Sequence, residues 1–324
     1  MIDIRKNKNG YWWKAQEKFD ALISGVVKLT ELTIQVTDLC NMNCPKCNKI
    51  NMTSDHMKVK DVVRILNDAA KLGLQHVHLT GGEPTMHPDL VEIIDLCRQL
   101  DMRVDMSSNG KFSEWKYANL ANAGLNSINI SWDFIKQVPE CIDFVENYSP
   151  RVFVNHMVMP SNYKEMPKFL QMIKDDYRYV HDIQLMPPRG SADKFNEKQI
   201  KEFNEIYIDK CYMIVKNCFP MVRTKIKEIL NDKDATKGIY HKKITWPCHR
   251  ARAELRVGPK GFAPCTYLYR DGFILCGLDV RVKEAWNRSM KMCQAMPPNK
   301  DMCDLSCSPE VSGLNYFVEK ELTK

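Results

Sequence analysis

The chain lacks the long apolar run that a membrane-spanning helix needs. Its apolar stretches fall well short of about 18 residues, and the N-terminus (Met1, Ile2, Asp3) has no apolar core of a signal peptide. Fibrous repeats and signs of disorder are absent as well. We therefore expect a cytoplasmic protein that makes no contact with a membrane.

A strong excess of one charge is also missing. The net charge is +7 over 324 residues, and no dense run of Lys and Arg is interleaved with aromatic residues. Nucleic-acid binding is therefore not expected. The hydrophobic fraction of 44% and the charged fraction of 27% are typical of an ordinary globular protein.

Cysteine, by contrast, is abundant, with 13 residues. In a reducing compartment, clustered cysteines indicate metal or redox chemistry rather than disulfides. Two groups stand out, one at positions 40–47 and one at positions 248–307. The remaining four lie in apolar, helix-like surroundings and are expected to be small buried hydrophobes: Cys97, Cys141, Cys211 and Cys218.

Strand and helix signals alternate through most of the chain, after a helix predicted at 11–29. The predicted strands are 32–37, 76–80, 103–107, 127–131, 152–158 and 182–186, and the further helices are 60–71, 88–100, 113–123, 140–147, 164–175, 194–217 and 222–230. Such alternation requires a parallel sheet with right-handed crossovers. Six units are too few for a closed eight-stranded barrel. The fold class is therefore α/β, an incomplete (β/α)6 partial TIM barrel.

The pattern changes near residue 237, where the sequence becomes rich in Cys, Gly, Pro and Arg. We predict an N-terminal helical segment over 1–30, a barrel core over 31–235 and a Cys-rich C-terminal domain over 236–324. A region with little regular structure needs other fastenings, which metal ligands can supply.

The first cysteine group is a C-x3-C-x2-C run directly after the first predicted strand: Cys40, Cys44 and Cys47. Three thiolates on one loop can bind three corners of a [4Fe–4S] cluster and leave one iron open. A zinc site is the alternative. Zinc usually has a fourth Cys or His nearby, and His56 is the nearest candidate.

With this spacing in this place, the chain resembles the radical S-adenosylmethionine (SAM) superfamily. The resemblance implies that the open iron binds SAM, whose reductive cleavage yields a 5′-deoxyadenosyl radical that removes hydrogen from a substrate. After the second strand, the string Gly81, Gly82, Glu83 and Pro84 is similar to the motif that contacts the SAM amino group. Physically, the glycines permit a tight turn, and a carboxylate beside them can receive an ammonium group.

Later strands carry or are followed by residues at positions where the family contacts the ribose, carboxylate or adenine of SAM. These are Ser107, Ser108 and Asn109 after the third strand, Ser131 and Asp133 after the fourth, Asn155 on the fifth and Met186 after the sixth. Such residues are also ordinary turn residues. The resemblance covers about residues 32–190 and is most specific at the cysteines and the GGEP string.

The C-terminal cysteines resemble the SPASM/Twitch extension of radical SAM enzymes, which carries auxiliary [4Fe–4S] clusters. The resemblance implies one auxiliary cluster on Cys248, Cys265, Cys303 and Cys307. The pattern departs from the group: the chain has three residues between Gly261 and Cys265 where four are common, and no four-cysteine run for a second cluster. A structural zinc knot is the alternative. Cys276 and Cys293 lie outside this set of four, and either could substitute for one of its members. Cys276 is also a candidate catalytic hydrogen-atom donor.

The expected activity is oxidation or epimerisation of a small polar metabolite, such as a sugar or aminocyclitol, with a flavodoxin- or ferredoxin-type electron donor. Arg189 and the charged run 249–256 are candidate contacts for an anionic substrate. The alternative is a maturase of a ribosomally made peptide, although the short segment before Cys40 leaves little room for a leader-binding domain. A zinc-stabilised binding module, perhaps for RNA, and a simple electron carrier are further alternatives.

Overall fold

The structure, a computed structural model, describes residues 28–44, 47, 55–186, 195–219, 226, 253–270 and 272–295. The helix predicted at 11–29, most of the one at 222–230 and the boundary between residues 235 and 236 lie outside these ranges. None of the helices in the described ranges is long and apolar enough to cross a membrane.

The described chain alternates strands and helices as the sequence predicts. The strands are β1 (Glu31–Thr37), β2 (His76–Gly81), β3 (Arg103–Ser108), β4 (Ser127–Ser131), β5 (Arg151–Met157), β6 (Val180–Met186), β7 (Glu254–Gly258) and β8 (Gly261–Ala263). The helices are α1 (Val59–Ala70), α2 (Leu90–Gln99), α3 (Glu114–Ala123), α4 (Met166–Asp176), α5 (Glu197–Glu202), α6 (Ile208–Val215), α7 (Thr266–Arg270) and α8 (Val282–Ala295).

The strands form one open sheet in the order β6-β5-β4-β3-β2-β1-β7-β8. Strands β1 to β7 pair in parallel, and only β8 is antiparallel to its neighbour. The predicted incomplete barrel is confirmed. Because the strands are parallel, the loops that follow their carboxyl ends gather at one edge of the sheet, where open α/β sheets bind ligands.

One strand joins the sheet from beyond the expected end of the barrel core. Strand β7 pairs with β1 through Glu31↔Glu254 and Thr33↔Arg256. The sequence did not predict β7 or β8, because both are short and lie in a stretch of weak periodicity. The C-terminal segment also packs on the helical layer, where Arg281 Nε lies 2.7 Å from Asp68 Oδ2 on α1.

The helix predicted at 140–147 is wrong in type. Two 3-10 turns, Glu140–Asp143 and Val145–Asn147, stand in its place. Phe144 between them leaves the helical region with φ −125°, and the Cys141 amide donates to the Gly110 carbonyl at 3.0 Å. The segment is therefore tied to the loop after β3 rather than to a continuous helix.

The two faces of the sheet differ in polarity, because side chains alternate along a strand. Leu32, Ile34, Val77 and Leu79 belong to the hydrophobic core with residues of the helices. The other side is here called the polar face. Its side chains lie beside one another in the register of neighbouring strands, or two positions apart on the same strand: Thr33, Gln35, His78, Asp105, Ser107, Ser127, Asn129, Asn155, Gln184 and Arg256.

Three of the four cysteines expected in the core are fully buried: Cys97, Cys141 and Cys211. Burial raises the pKa of the Cys97 and Cys211 thiols to about 12 in each case. Cys218 is half-buried instead. The three buried thiols therefore act as apolar side chains and not as nucleophiles.

Replacing Gly124 by alanine should destabilise the fold more than the same change at Gly73. Both glycines have a left-handed backbone conformation, with φ +110° and φ +73°. Backbone strain in each alanine variant should therefore lower the free energy of unfolding by about 1–2 kcal/mol. At Gly124 the new Cβ would also lie 2.7 Å from Arg98 Cδ, whereas at Gly73 the nearest atom is 3.9 Å away. Urea denaturation of both variants measures the difference, and equal free energies of unfolding would contradict it.

Candidate functional site

The cysteine loop leaves the carboxyl end of β1 and is closed at its base by backbone hydrogen bonds. The Asp38 amide donates to the Asp55 carbonyl at 2.9 Å, and the Met57 amide donates to the Val36 carbonyl at 2.8 Å. The cysteines therefore project from a fixed stem. Cys40 is half-buried, whereas Cys44 and Cys47 are exposed.

His56, the candidate fourth zinc ligand, lies at the stem of this loop. It pairs with Thr37 as an isolated bridge, and its ring meets His87 edge-on at 5.2 Å between centroids. Among the residues that the structure describes, no three His, Cys, Asp or Glu side chains are grouped to hold a single metal ion.

The two glycines at the carboxyl end of β2 bring a second loop into backbone contact with the cysteine loop. The Gly82 amide donates to Thr37 O at 2.8 Å, and the Glu83 amide donates to Leu39 O at 2.7 Å. A Cβ on Gly82 would lie 2.1 Å from Leu39 O. Only glycine therefore allows this approach, one residue before Cys40.

Glu83 is fully buried at the centre of the site. Its Oε1 accepts from the Thr85 amide at 3.2 Å, the Thr85 hydroxyl at 2.8 Å and Ser108 Oγ at 2.8 Å. Its Oε2 accepts from the Asn109 amide at 2.8 Å. Burial raises the pKa of Glu83, and these hydrogen bonds oppose the rise. The carboxylate thus joins the loops after β2 and β3, a task that the sequence did not reveal. Its contact with the SAM amino group stays a prediction.

Asn109 links the loop after β3 to the cysteine loop. The nitrogen of its side-chain amide, Nδ2, lies 2.8 Å from Asn41 Oδ1 and 3.8 Å from Cys40 Sγ. Asn41 in turn donates to the Lys111 carbonyl at 2.8 Å. Pro84 begins the 3-10 turn Pro84–Met86, which keeps the second loop short. Three consecutive strand ends therefore meet around Cys40.

The remaining candidate SAM residues lie farther along the same edge of the sheet. Ser131 is exposed at the end of β4 and pairs with Asn155. Asp133 Oδ1 accepts from the Met157 amide at 2.9 Å, so this carboxylate fixes the start of the loop after β5. Met186 is half-buried at the end of β6. The SAM contacts of these residues stay predictions.

Only part of the second cysteine group falls within the described residues. Cys265 is half-buried between β8 and α7, whereas Cys248, Cys303 and Cys307 lie outside, as do Arg189 and residues 249–252. Cys276 is half-buried, and its carbonyl accepts from the Phe262 amide at 2.8 Å. Burial raises the pKa of its thiol, and Arg288 opposes the rise. Cys293 is buried on α8.

The sequence analysis missed the polar side chains in the middle of the sheet. Arg256, the last residue of the charged run named as a candidate substrate contact, is buried. It donates to Gln35 Oε1 at 2.5 Å and to Thr266 Oγ1 at 3.2 Å. The signal was present: parallel strands with helices on both sides are apolar throughout, whereas β1, β2 and β3 alternate polar and apolar residues.

Comparison with known families decides what this arrangement is. Residues 34–173 match the family model described as the radical SAM superfamily. The chain carries a radical SAM domain. This superfamily uses a [4Fe–4S] cluster and SAM, and the match runs from β1 through the cysteine loop and into α4.

Proteins similar in sequence to this chain include enzymes with different names. A probable GTP 3′,8-cyclase of Methanothermobacter thermautotrophicus is 32% identical over 126 residues, 37% of this chain and 41% of that protein. A PqqA peptide cyclase of Methylorubrum populi is 26% identical over 196 residues, 50% of this chain and 51% of that protein. The chain thus spans about two fifths to one half of the length of these relatives.

A solved structure extends the likeness in fold. Streptococcus suis SuiB bound to its precursor peptide SuiA has a TM-score of 0.64 and 14% identity, over 96% of this chain and 78% of that chain. This likeness shows that the chain shares the fold of SuiB.

The chain's own residues fit the cofactors of the superfamily. Cys44 and Cys47 are exposed and follow Cys40 in the loop after β1. The buried Asn155 Oδ1 has no hydrogen-bond partner among the described residues, and a buried acceptor is normally satisfied. It lies on the polar face, where a bound ligand could donate to it.

Replacing Glu83 by glutamine should destabilise the site strongly. One accepting oxygen becomes an NH2 group that faces donors, and the Thr85 and Asn109 amides cannot turn away. We expect a loss of about 2–3 kcal/mol in the free energy of unfolding. Ser108→Ala, which removes one donor to Glu83 and the acceptor of the Gly110 amide, should lose about 1–2 kcal/mol. Urea denaturation measures both, and a stable Glu83→Gln protein would show that the carboxylate does not hold the loops.

Proposed function

We propose that this chain is a radical SAM enzyme whose substrate is a peptide. The observation that carries the radical SAM part is the convergence on Cys40 of the loops after β1, β2 and β3, tied by Glu83 and Asn109. Cys40, Cys44 and Cys47 would hold the cluster. When bound, the cluster and SAM supply the radical that removes hydrogen from the substrate.

The described residues would bind and orient SAM at the carboxyl edge of the sheet. Gly81 and Gly82 present backbone groups beside the cysteine loop, and Glu83 holds that loop against the loop after β3. Ser107, Asn109 and Asn155 offer hydrogen-bonding groups toward the ligand. Ser131 and Met186 would line the far side of the site.

A peptide substrate is supported by the PqqA peptide cyclase, which has a peptide in its name, and by SuiB, which was solved with its precursor peptide bound. Within the described residues the sheet ends at β6 and at β8 and does not close on itself, so an extended chain could lie along its polar face. The oxidation or epimerisation of a sugar or aminocyclitol, expected from the sequence, has less support.

A small polar substrate is the second candidate. The GTP 3′,8-cyclase relative has a nucleotide in its name, and buried Arg256 provides a cation on the polar face. A charged small molecule would suit such a group. The substrate search therefore needs to include nucleotides beside peptides.

The proposal includes one auxiliary [4Fe–4S] cluster on Cys248, Cys265, Cys303 and Cys307, with Cys276 as a spare ligand or hydrogen-atom donor. It also includes a cytoplasmic location and a flavodoxin- or ferredoxin-type electron donor. The fold shared with SuiB is compatible with the C-terminal cluster. A cluster there would accept an electron from the substrate radical or anchor the substrate.

The wild-type protein, reconstituted anaerobically and reduced with dithionite, should release 5′-deoxyadenosine from SAM. Cys44→Ala should release none, because one corner of the cluster loses its ligand. Chromatography of the quenched reaction measures the product. A colourless, zinc-loaded protein that does not bind SAM would overturn the proposal.

The substrate class is tested by stimulation of this release. Peptides encoded beside the gene should raise the rate and gain an altered mass, whereas nucleotides and sugars should not. A nucleotide that alone stimulates release would favour the second candidate over the first.

Iron content separates the roles of Cys265 and Cys276. The wild type should bind about eight irons per chain in two [4Fe–4S] clusters. Cys265→Ala should lose about half of this iron, whereas Cys276→Ala should keep it, since Cys276 is outside the proposed ligand set. Full iron in Cys265→Ala would exclude it as a ligand.

A further inference from the structure

Three polar side chains form a hydrogen-bonded chain across β2 and β3 on the polar face. Asp105 Oδ2 lies 2.5 Å from His78 Nδ1, and His78 Nε2 lies 3.1 Å from Ser107 Oγ. A second histidine, His76, places Nδ1 3.4 Å from Asp105 Oδ1. Asp105 is buried, whereas His78 and Ser107 are half-buried. This series of hydrogen bonds thus begins at a buried group, Asp105, and ends at a partly exposed one, Ser107.

With Asp105 ionised and His78 neutral, the chemistry of these groups gives each hydrogen bond one direction. An ionised carboxylate has only acceptors, so His78 Nδ1–H donates a hydrogen bond to Asp105. In a neutral imidazole the other nitrogen is then an acceptor, so the Ser107 hydroxyl donates to His78 Nε2. The Ser107 oxygen keeps free lone pairs. Toward the open side of the sheet, Ser107 therefore accepts hydrogen bonds and does not donate them.

The position of Ser107 indicates what it meets. It lies two residues before Asn109, whose amide nitrogen is 3.8 Å from Cys40 Sγ, and beside Asn129 in the register of β3 and β4. Ser107 thus lies on the strand that leads directly into the loop in contact with Cys40. The donors that SAM offers at such a site are its ammonium group and its ribose hydroxyls.

We propose that His78 and Asp105 are positioning residues that fix Ser107 as a hydrogen-bond acceptor for a donor group of bound SAM. This inference rests on the proposed placement of Ser107 in the SAM site. It adds two residues to that site which would act through Ser107 and would not touch the ligand.

The affinity for SAM tests this, measured by equilibrium dialysis of the reconstituted holoprotein. Ser107→Ala should weaken SAM binding about tenfold, the effect of removing a buried hydrogen-bond partner. Asp105→Asn should weaken it nearly as much, since an amide presents N–H as well as C=O and the obligatory acceptor is lost. His78→Asn, which lacks an atom at the Nε2 position, should give the same loss if Asp105→Asn does not fold.

A double mutant separates this role from a purely structural one. If Asp105 acts through Ser107, then Asp105→Asn should weaken SAM binding no further in the Ser107→Ala background. Asp68→Asn is the matched control: it alters a buried carboxylate paired with Arg281 in the helical layer and should leave SAM affinity and iron content unchanged.

Two results would overturn the inference: unchanged SAM affinity in both Asp105→Asn and His78→Asn, or the same loss from Asp105→Asn with and without the Ser107 hydroxyl. A wild-type holoprotein that does not bind SAM at all would instead remove the proposed function, and this inference with it. The two failures are therefore distinguishable.

Discussion

The site depends on one buried carboxylate. Glu83 is enclosed in the protein and accepts hydrogen bonds from Thr85, Ser108 and Asn109. Loops after neighbouring parallel strands start close together, but nothing in the sheet itself holds their tips. A buried carboxylate needs several donors to offset its desolvation, and here those donors come from the loops. The requirement to satisfy Glu83 therefore orders the surroundings of Cys40.

The second constraint is the unequal polarity of the sheet. The apolar side chains of β1 and β2 pack into a continuous core with the helices, which supplies the stability that the polar face does not. Polar groups on the other face are paired with one another, as in the links of Arg256 to Gln35 and of His78 to Asp105. A sheet of this kind keeps one side stable while the other remains free to recognise a ligand.

Much of this fold could be predicted from the sequence, because strand and helix periods differ and the motifs follow strand ends. The first six strands, the cysteine loop and the GGEP turn lie where the pattern placed them. The helix prediction at 140–147 was wrong because the apolar spacing of this segment resembles that of a helix, whereas the break at Phe144 depends on tertiary contacts. The pairing of β7 with β1 and the contacts of His78 join residues far apart in sequence, which no local pattern encodes.

The position of β7 has a consequence for the two groups of cysteines. Arg256 on β7 contacts Thr266, the neighbour of Cys265, and also Gln35. Gln35 donates to Asp38, two residues before Cys40. Arg256 is buried and also lies over the Tyr269 ring at 5.3 Å, so it has little freedom to move. A continuous set of hydrogen bonds therefore connects the segment of Cys265 to the stem of the cysteine loop. Because both ends share one sheet, a shift of the C-terminal segment would be transmitted to Asp38 through fixed side chains.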